Sequence, residues 1–259
     1  MPPPDPTAVE CRRPVALAAP LESGGESRLR FLWRAWRCRL RDDRAELRWI
    51  LARLRPGQVA LDVGAHKGGY TWWMQRAVGP GGCVVAFEPQ ARIAARLADV
   101  LARSGCGHVR VENLALSDRS GDAVLVQPSG ATCAATLEPR ERVRASERVR
   151  VVTLDGWLER NGDPAVHLVK CDVEGHELAV FRGARRTLER HRPALLVEIE
   201  ARHRPGGSVA EVVGHLESLG YRASFFWKGR QLPVSAFRPE LHQVPGRRPY
   251  ANDFAFEPA

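Results

Sequence analysis

Leu61-Asp-Val-Gly-Ala-His-Lys-Gly-Gly-Tyr-Thr71, followed by Val84-Val-Ala-Phe-Glu-Pro89, is the stretch that decides the fold. Val59 to Val63 reads as a short buried strand, Gly64, Gly68 and Gly69 as a turn, and Tyr70 to Val78 as a helix. A glycine-rich turn from strand to helix brings backbone N–H groups close to a ligand at the helix N-terminus. The second stretch is another apolar strand and ends in an acid, Glu88. An acid at the tip of the second strand is placed to accept hydrogen bonds from ribose hydroxyls. The two stretches together predict a nucleoside-containing cofactor on an α/β sheet.

The glycine spacing narrows the cofactor. A dinucleotide fingerprint packs G-x-G-x-x-G against a pyrophosphate. Here Ala65 and His66 stand where a close-approach glycine is needed, and Asp62 ends strand one. A carboxylate there repels a pyrophosphate but can receive an ammonium group, directly or through water. The pattern resembles the S-adenosylmethionine site of Rossmann-like methyltransferases.

Outward from this turn, strand and helix alternate. Strands are expected at Cys83–Glu88, Val109–Asn113, Val166–Asp172 and Ala194–Glu200, with helices at Gln90–Arg103, Leu154–Arg160, His176–His191 and Val209–Leu219. Ala123–Val126 and Val149–Thr153 read as two extra strands, joined by a polar loop that either covers the site or merely connects them. Arg222–Trp227 and Asp253–Phe256 come last, with no helix between them. Alternation implies a parallel sheet with helices on both faces; the final pair is expected to run antiparallel at the sheet edge. The fold class is therefore α/β: Rossmann-like, with a mostly parallel seven-stranded sheet, an antiparallel edge strand and an N-terminal helical extension.

Three segments are expected: a disordered tail over 1–26, rich in Pro, Ala and Gly; an arginine-rich helical extension over 27–55; and the α/β domain over 56–259. Within the extension, Leu29, Leu32, Trp33, Trp36 and Leu40 form an apolar stripe at helical spacing. It is read as packing against the domain, with an anionic membrane surface, which Asp42 and Asp43 disfavour, or a partner protein as alternatives.

Composition excludes several classes. No apolar run approaches the roughly 18–20 residues of a membrane span. The six cysteines show no C-x-x-C pair, and reduced thiols in a cytoplasmic protein are expected. The net charge of +9 comes from 39 basic residues, of which only Lys67, Lys170 and Lys228 are lysines. The arginines are scattered on an Ala-rich background without an aromatic-basic RNA-recognition run, so nucleic acid is not the expected partner.

A second motif, Val169-Lys-Cys-Asp-Val-Glu-Gly-His-Glu177, ends an inner strand and opens a helix. Ligands in open parallel sheets bind beyond the carboxyl ends of the strands near the switch point, which gathers Asp172, Glu174 and His176 beside the Gly64–Gly69 turn. With this motif the chain resembles the FkbM-type methyltransferase family. The matching elements, in order, are the Leu61–Thr71 turn, Phe87-Glu-Pro89, Asn113-Leu-Ala-Leu-Ser-Asp118, Thr153-Leu-Asp-Gly-Trp157, the Lys170–Glu177 run, Phe181-Arg-Gly-Ala184 and Pro193-Ala-Leu-Leu-Val-Glu-Ile199. The resemblance covers roughly residues 58–256. It implies a Rossmann-like fold, S-adenosyl-L-methionine as donor, and a hydroxyl on a small molecule or sugar as acceptor. It names neither the acceptor nor the oligomeric state.

On this reading Asp62, Gly64, His66 and Gly68 hold the methionine end of the cofactor, with Tyr70 and Thr71 lining the site or capping the helix. Glu88 holds the ribose. Asn113, Ala115, Ser117 and Asp118 border the adenine, with a turn-forming side chain as the alternative for Asn113. His176 is the candidate general base, with Asp172 and Glu174 as alternatives; Asp172 is also a candidate for the cofactor amine. The D-x-E-x-H spacing crosses a turn and does not specify a metal site, so no metal is expected. A nicotinamide-dependent oxidoreductase and a non-catalytic cofactor-binding or scaffolding protein are the competing readings. Asp62, the glycine spacing and the terminal strand pair disfavour the oxidoreductase.

Overall fold

The computed structural model describes residues 26–128, 135–139, 143–203 and 208–259. The expected tail over 1–26 lies almost wholly outside the described residues, as do Cys11 and Cys133.

The chain enters through α1 (Arg28–Arg37), capped by the Ser27 hydroxyl, which accepts the Arg30 N–H at 3.3 Å. A π-helical turn, Cys38–Asp42, leads into α2 (Arg44–Arg53). There follow β1 (Val59–Val63), α3 (Gly69–Val78), β2 (Cys83–Phe87), α4 (Ala91–Arg103), β3 (Val109–Glu112), β4 (Ala115–Leu116), β5 (Gly121–Pro128) and β6 (Val143–Val152). The second half runs α5 (Leu154–Arg160), β7 (Val166–Cys171), α6 (Glu177–Arg182), α7 (Arg185–His191), β8 (Ala194–Glu198), α8 (Val209–Ser218), β9 (Tyr221–Trp227), β10 (Arg230–Pro233), α9 (Pro239–His242) and β11 (Asp253–Pro258).

The main sheet has the order β3-β2-β1-β7-β8-β11-β9-β10. Strands β3, β2, β1, β7 and β8 pair in parallel, while β11 runs antiparallel to both β8 and β9. The seven expected strands are joined by an eighth, because Arg230–Pro233 folds back on β9 as a hairpin and forms the antiparallel edge. The late strand β11 sits inside the sheet instead of at its margin. Its residues explain this: Phe254, Ala255 and Phe256 are all fully buried, and an apolar run buried on both faces belongs in a sheet interior. The extra strands form a separate three-stranded sheet, β4-β6-β5, whose β5–β6 hairpin is longer than expected.

Side chains alternate across the main sheet. Leu61, Val63, Val85, Phe87, Val169 and Cys171 face Trp157, Val180, Phe181 and Leu188 of α5–α7. Ala60, Val84, Leu168 and Leu196 face Trp49, Ile50, Met74 and Val78 of α2 and α3. Both faces are thereby covered, and the carboxyl edge of β1, β2 and β7 is left as the place where loops meet.

Two expected helices are broken, each for a local reason. His176–His191 divides into α6 and α7 because Asp155 captures the start of α7: its carboxylate accepts the N–H groups of Arg186 and Thr187, both at 2.9 Å, and the Thr187 hydroxyl at 2.6 Å. Asp155 is thus a helix cap. Ser27–Leu54 divides at the π-turn, where the Cys38 thiol donates to Asp43 at 2.9 Å. The buried face of α1 is Phe31 and Ala35, not the expected stripe. Phe31 meets the Trp72 ring edge-on at 5.6 Å, and the Trp73 indole N–H donates to the Ala35 carbonyl at 2.8 Å. Leu29, Trp33, Trp36 and Leu40 are 80%, 61%, 50% and 64% exposed. Helical spacing fits both stripes, and the one that matches the large rings of α3 is the one buried. Cys38, Cys106 and Cys171 are free thiols.

Candidate active site

The loops after β1 and β7 touch at the carboxyl edge. The Asp172 N–H donates to the Val63 carbonyl at 3.0 Å, and Gly64 (φ +78°) lies against the Asp172 backbone. A Cβ on Gly64 would come within 1.8 Å of the Asp172 carbonyl oxygen. Gly64 therefore exists to let two loops meet, a use the cofactor-turn reading did not foresee. Gly68 (φ +73°) is directed away from the site, toward Leu97 and Phe31; a Cβ there would lie 2.4 Å from the Leu97 side chain.

Between these loops, β2 and the small sheet lies a cavity of about 140 Å³. Gly64, His66, Glu88, Ala115, Asp172, Glu174 and His176 all line it, as the sequence predicts for a shared site. Leu125 and Ala135–Leu137 cover it from the small sheet. Thr136 is held there by a backbone pair with Val126, at 2.8 and 2.9 Å. The loop over Gln127–Thr136 thus reaches the site at its end, although residues 129–134 lie outside the described residues. Among the described residues no group of three or more His, Cys, Asp or Glu is arranged to hold a metal ion.

Glu88 is almost fully buried. Its carboxylate accepts the His66 and Gln90 N–H groups, each at 2.9 Å. Burial nevertheless raises its pKa to about 7, with the two amides pulling the other way. The His66 ring is pushed in the opposite direction, to about 4, by burial and by the neighbouring Lys67. Asn113 does not border the cavity; its amide donates to the Glu88 and Pro89 carbonyls at 3.0 and 2.8 Å and so braces the ribose-side turn.

His176 stands on the opposite wall. Its Nδ1 lies 2.6 Å from Glu138 Oε1, and its Nε2 lies 2.8 Å from the Ser117 hydroxyl. An ionised Glu138 selects the tautomer with hydrogen on Nδ1, which leaves Nε2 as acceptor for the Ser117 O–H. Ser117 is buried and serves His176; Asp118 is exposed and pairs with Arg119. Glu174 is paired with His203 at 2.8 Å. Glu138 escaped the sequence reading because nothing in Leu137-Glu-Pro139 marks it; only the tertiary fold of the small sheet brings it to His176.

Beneath the cavity lies an ionic layer. Asp62 is buried, accepts the Thr71 hydroxyl through Oδ2 and leaves Oδ1 without a hydrogen-bond partner. Lys170, also buried, donates to Asp172 at 3.2 Å and lies 5.1 Å over the Tyr70 ring. Burial alone would lower the Lys170 pKa, but Asp172, Asp62 and Glu198 outweigh it and raise it. Burial raises the Asp62 carboxyl, against the pull of Lys170. Tyr70 and Thr71 accordingly belong to this supporting layer and not to the cavity wall.

A parallel sheet with helices on both faces, an antiparallel strand inserted beside β8 and a cavity at the switch point together define the class I, Rossmann-like methyltransferase fold. The methyltransferase FkbM domain model matches residues 62–223, and the chain belongs to that family. A hexuronic acid methyltransferase, AglP, of Haloferax volcanii is 30% identical over 155 residues, which cover 60% of this chain and 62% of that protein. The chain therefore aligns with less than two thirds of that relative's length. The crystal structure of an FkbM methyltransferase from Methylobacillus flagellatus superposes with a TM-score of 0.52 at 17% identity, over 90% of this chain and 55% of the other, and is alike in fold.

Proposed function

We propose that the chain transfers a methyl group from S-adenosyl-L-methionine to a hydroxyl of a small molecule or sugar, with a sugar acid as the first acceptor class to test. The observation that carries this reading is a single cavity with Glu88 on one wall and His176, held by Glu138, on the other. The buried, partnerless Asp62 Oδ1 fits the donor, since an ammonium group or a water beneath it would supply the missing hydrogen bond. The sugar-acid class comes from the relative's name.

When bound, the donor supplies an electrophilic methyl on a sulfonium. Glu88, on the cavity wall, would hold the ribose hydroxyls, and Asp62, in the layer beneath, would receive the amine. Once the Ser117 hydroxyl turns from Nε2 to Asp118 Oδ1, 3.2 Å from it, His176 Nε2 is free to take the acceptor's proton while Glu138 holds Nδ1–H and stabilises the charge that forms. Such a base contributes about 10²–10⁴-fold, and alignment of the acceptor contributes up to roughly 7–11 kcal/mol. Asp172, tied to Lys170, positions the loop on which His176 stands. A cytoplasmic setting suits this chemistry, and no helix among the described residues is long and apolar enough to cross a membrane.

Calorimetry tests the donor. S-adenosylhomocysteine is expected to bind and Glu88→Ala to weaken it by tenfold or more, with methyl transfer detected on a panel of uronic acids and neutral sugars. Binding of NAD with no response to either adenosyl ligand would overturn the assignment. Binding without transfer to any hydroxylated acceptor would favour the non-catalytic reading.

A further inference from the structure

A second concavity, about 630 Å³, lies on the other side of His66, between α1 and α4. Five cationic side chains line it, Arg30, Arg34, Arg37, Lys67 and Arg96, against one carboxylate, Glu26. Arg34 is already engaged: it grips Glu26 with both nitrogens and donates to the Lys67 carbonyl at 3.0 Å, which clamps α1 to the cofactor turn. Arg37 pairs with Asp42 at 2.8 Å. Arg30, Lys67 and Arg96 form no ion pair with any described residue. The exposed Trp33 ring stands at the rim, and Ile93 and Val100 supply an apolar wall.

We propose that this cleft is a phosphate-binding site, taking a ligand whose phosphate or diphosphate meets Arg30, Lys67 and Arg96 and whose ring or apolar portion meets Trp33. Like charges gathered in a concave site repel one another and raise the local concentration of anions. One carboxylate would leave two of the three unpaired cations uncompensated. A phosphate ester carries up to two charges and several acceptor oxygens, and the guanidinium fork matches it in bidentate fashion. The wall supplied by α1 precedes residue 62, where the family match begins. It adjoins the donor cavity through His66, but the proposal does not depend on methyl transfer, because binding is measured without turnover.

Calorimetry with inorganic pyrophosphate is the test, repeated on Arg30→Ala/Arg96→Ala, with thermal melting as the check that the variant is folded. Pyrophosphate is expected to bind, to weaken with added salt, and to lose about tenfold per arginine removed, while S-adenosylhomocysteine binding is unchanged. Flotation with phosphatidylglycerol vesicles identifies the source: flotation that pyrophosphate competes away assigns a lipid phosphate, and pyrophosphate binding without flotation assigns a soluble phosphoester. No pyrophosphate binding by folded protein, or binding that the double variant retains in full, overturns the proposal. So does flotation that pyrophosphate leaves undiminished.

Discussion

At the scale of single residues, His176 has the partners of a working base and not merely the position of one. Glu138 on Nδ1 fixes which nitrogen can accept a proton, and Ser117 fixes the ring's angle. His176→Ala is expected to lower kcat by about 10²–10⁴ with little change in S-adenosylhomocysteine affinity. Glu138→Gln keeps a hydrogen-bond partner but removes the charge that stabilises a protonated ring, so kcat should fall while S-adenosylhomocysteine affinity holds. Equal losses in kcat and cofactor affinity for both variants would make the pair loop architecture. The sequence revealed His176 because it sits in a strand-end motif, next to Asp172 and Glu174. It could not reveal Glu138, which lies 38 residues away on a segment without periodicity. Nor could it foresee that Gly64 also lets two loops meet, since a glycine needed for loop contact and one needed for a ligand leave the same mark.

At the scale of elements, Ala135–Leu137 form a strap over the cavity. Pockets that take cofactor-sized ligands measure roughly 300–1,000 Å³, and the enclosed space here is about 140 Å³. Thr136 is fully buried and paired with Val126. Donor binding is expected to loosen this pair. Hydrogen exchange at Val126 and Thr136 is expected to speed up on addition of S-adenosylhomocysteine, against the protection expected along β1 and β2. Tight binding with unchanged exchange at both amides would show that the ligand enters without moving the strap. The core strands were legible because buried parallel strands are short apolar runs between turns. The strap was not, because its order comes from pairing with β5, a contact made across the chain and not written in local composition.

At the scale of the whole molecule, burial of ionisable groups under the site sets how stability responds to pH. The Glu88 carboxyl is raised from 4.5 to about 7. Between those values the folded chain holds a proton that the unfolded chain has released, so stability contributed here is present at low pH and is lost as pH rises. At 1.36 kcal/mol per unit the loss is on the order of 3 kcal/mol at most. Glu198 and Asp253, raised by burial and then by neighbouring carboxylates, act in the same direction. His66 acts oppositely over nearly the same window: lowered to about 4, it is neutral in the fold where the unfolded chain's histidine is charged, so its contribution improves as pH rises toward 6.5. The wild-type profile mixes these effects, and a difference between variants separates them. The Tm of Glu88→Gln minus that of the wild type should grow from about pH 4.5 to about pH 7 and then level off, at ~2–4 °C per kcal/mol for a chain of this size. The same variant should bind S-adenosylhomocysteine more weakly at pH 8, where the wild-type carboxylate is ionised, and differ least at pH 5, where both side chains are neutral. A Tm difference that does not change with pH would mean that Glu88 titrates alike in the folded and unfolded chain, and that burial under the site costs its charge nothing.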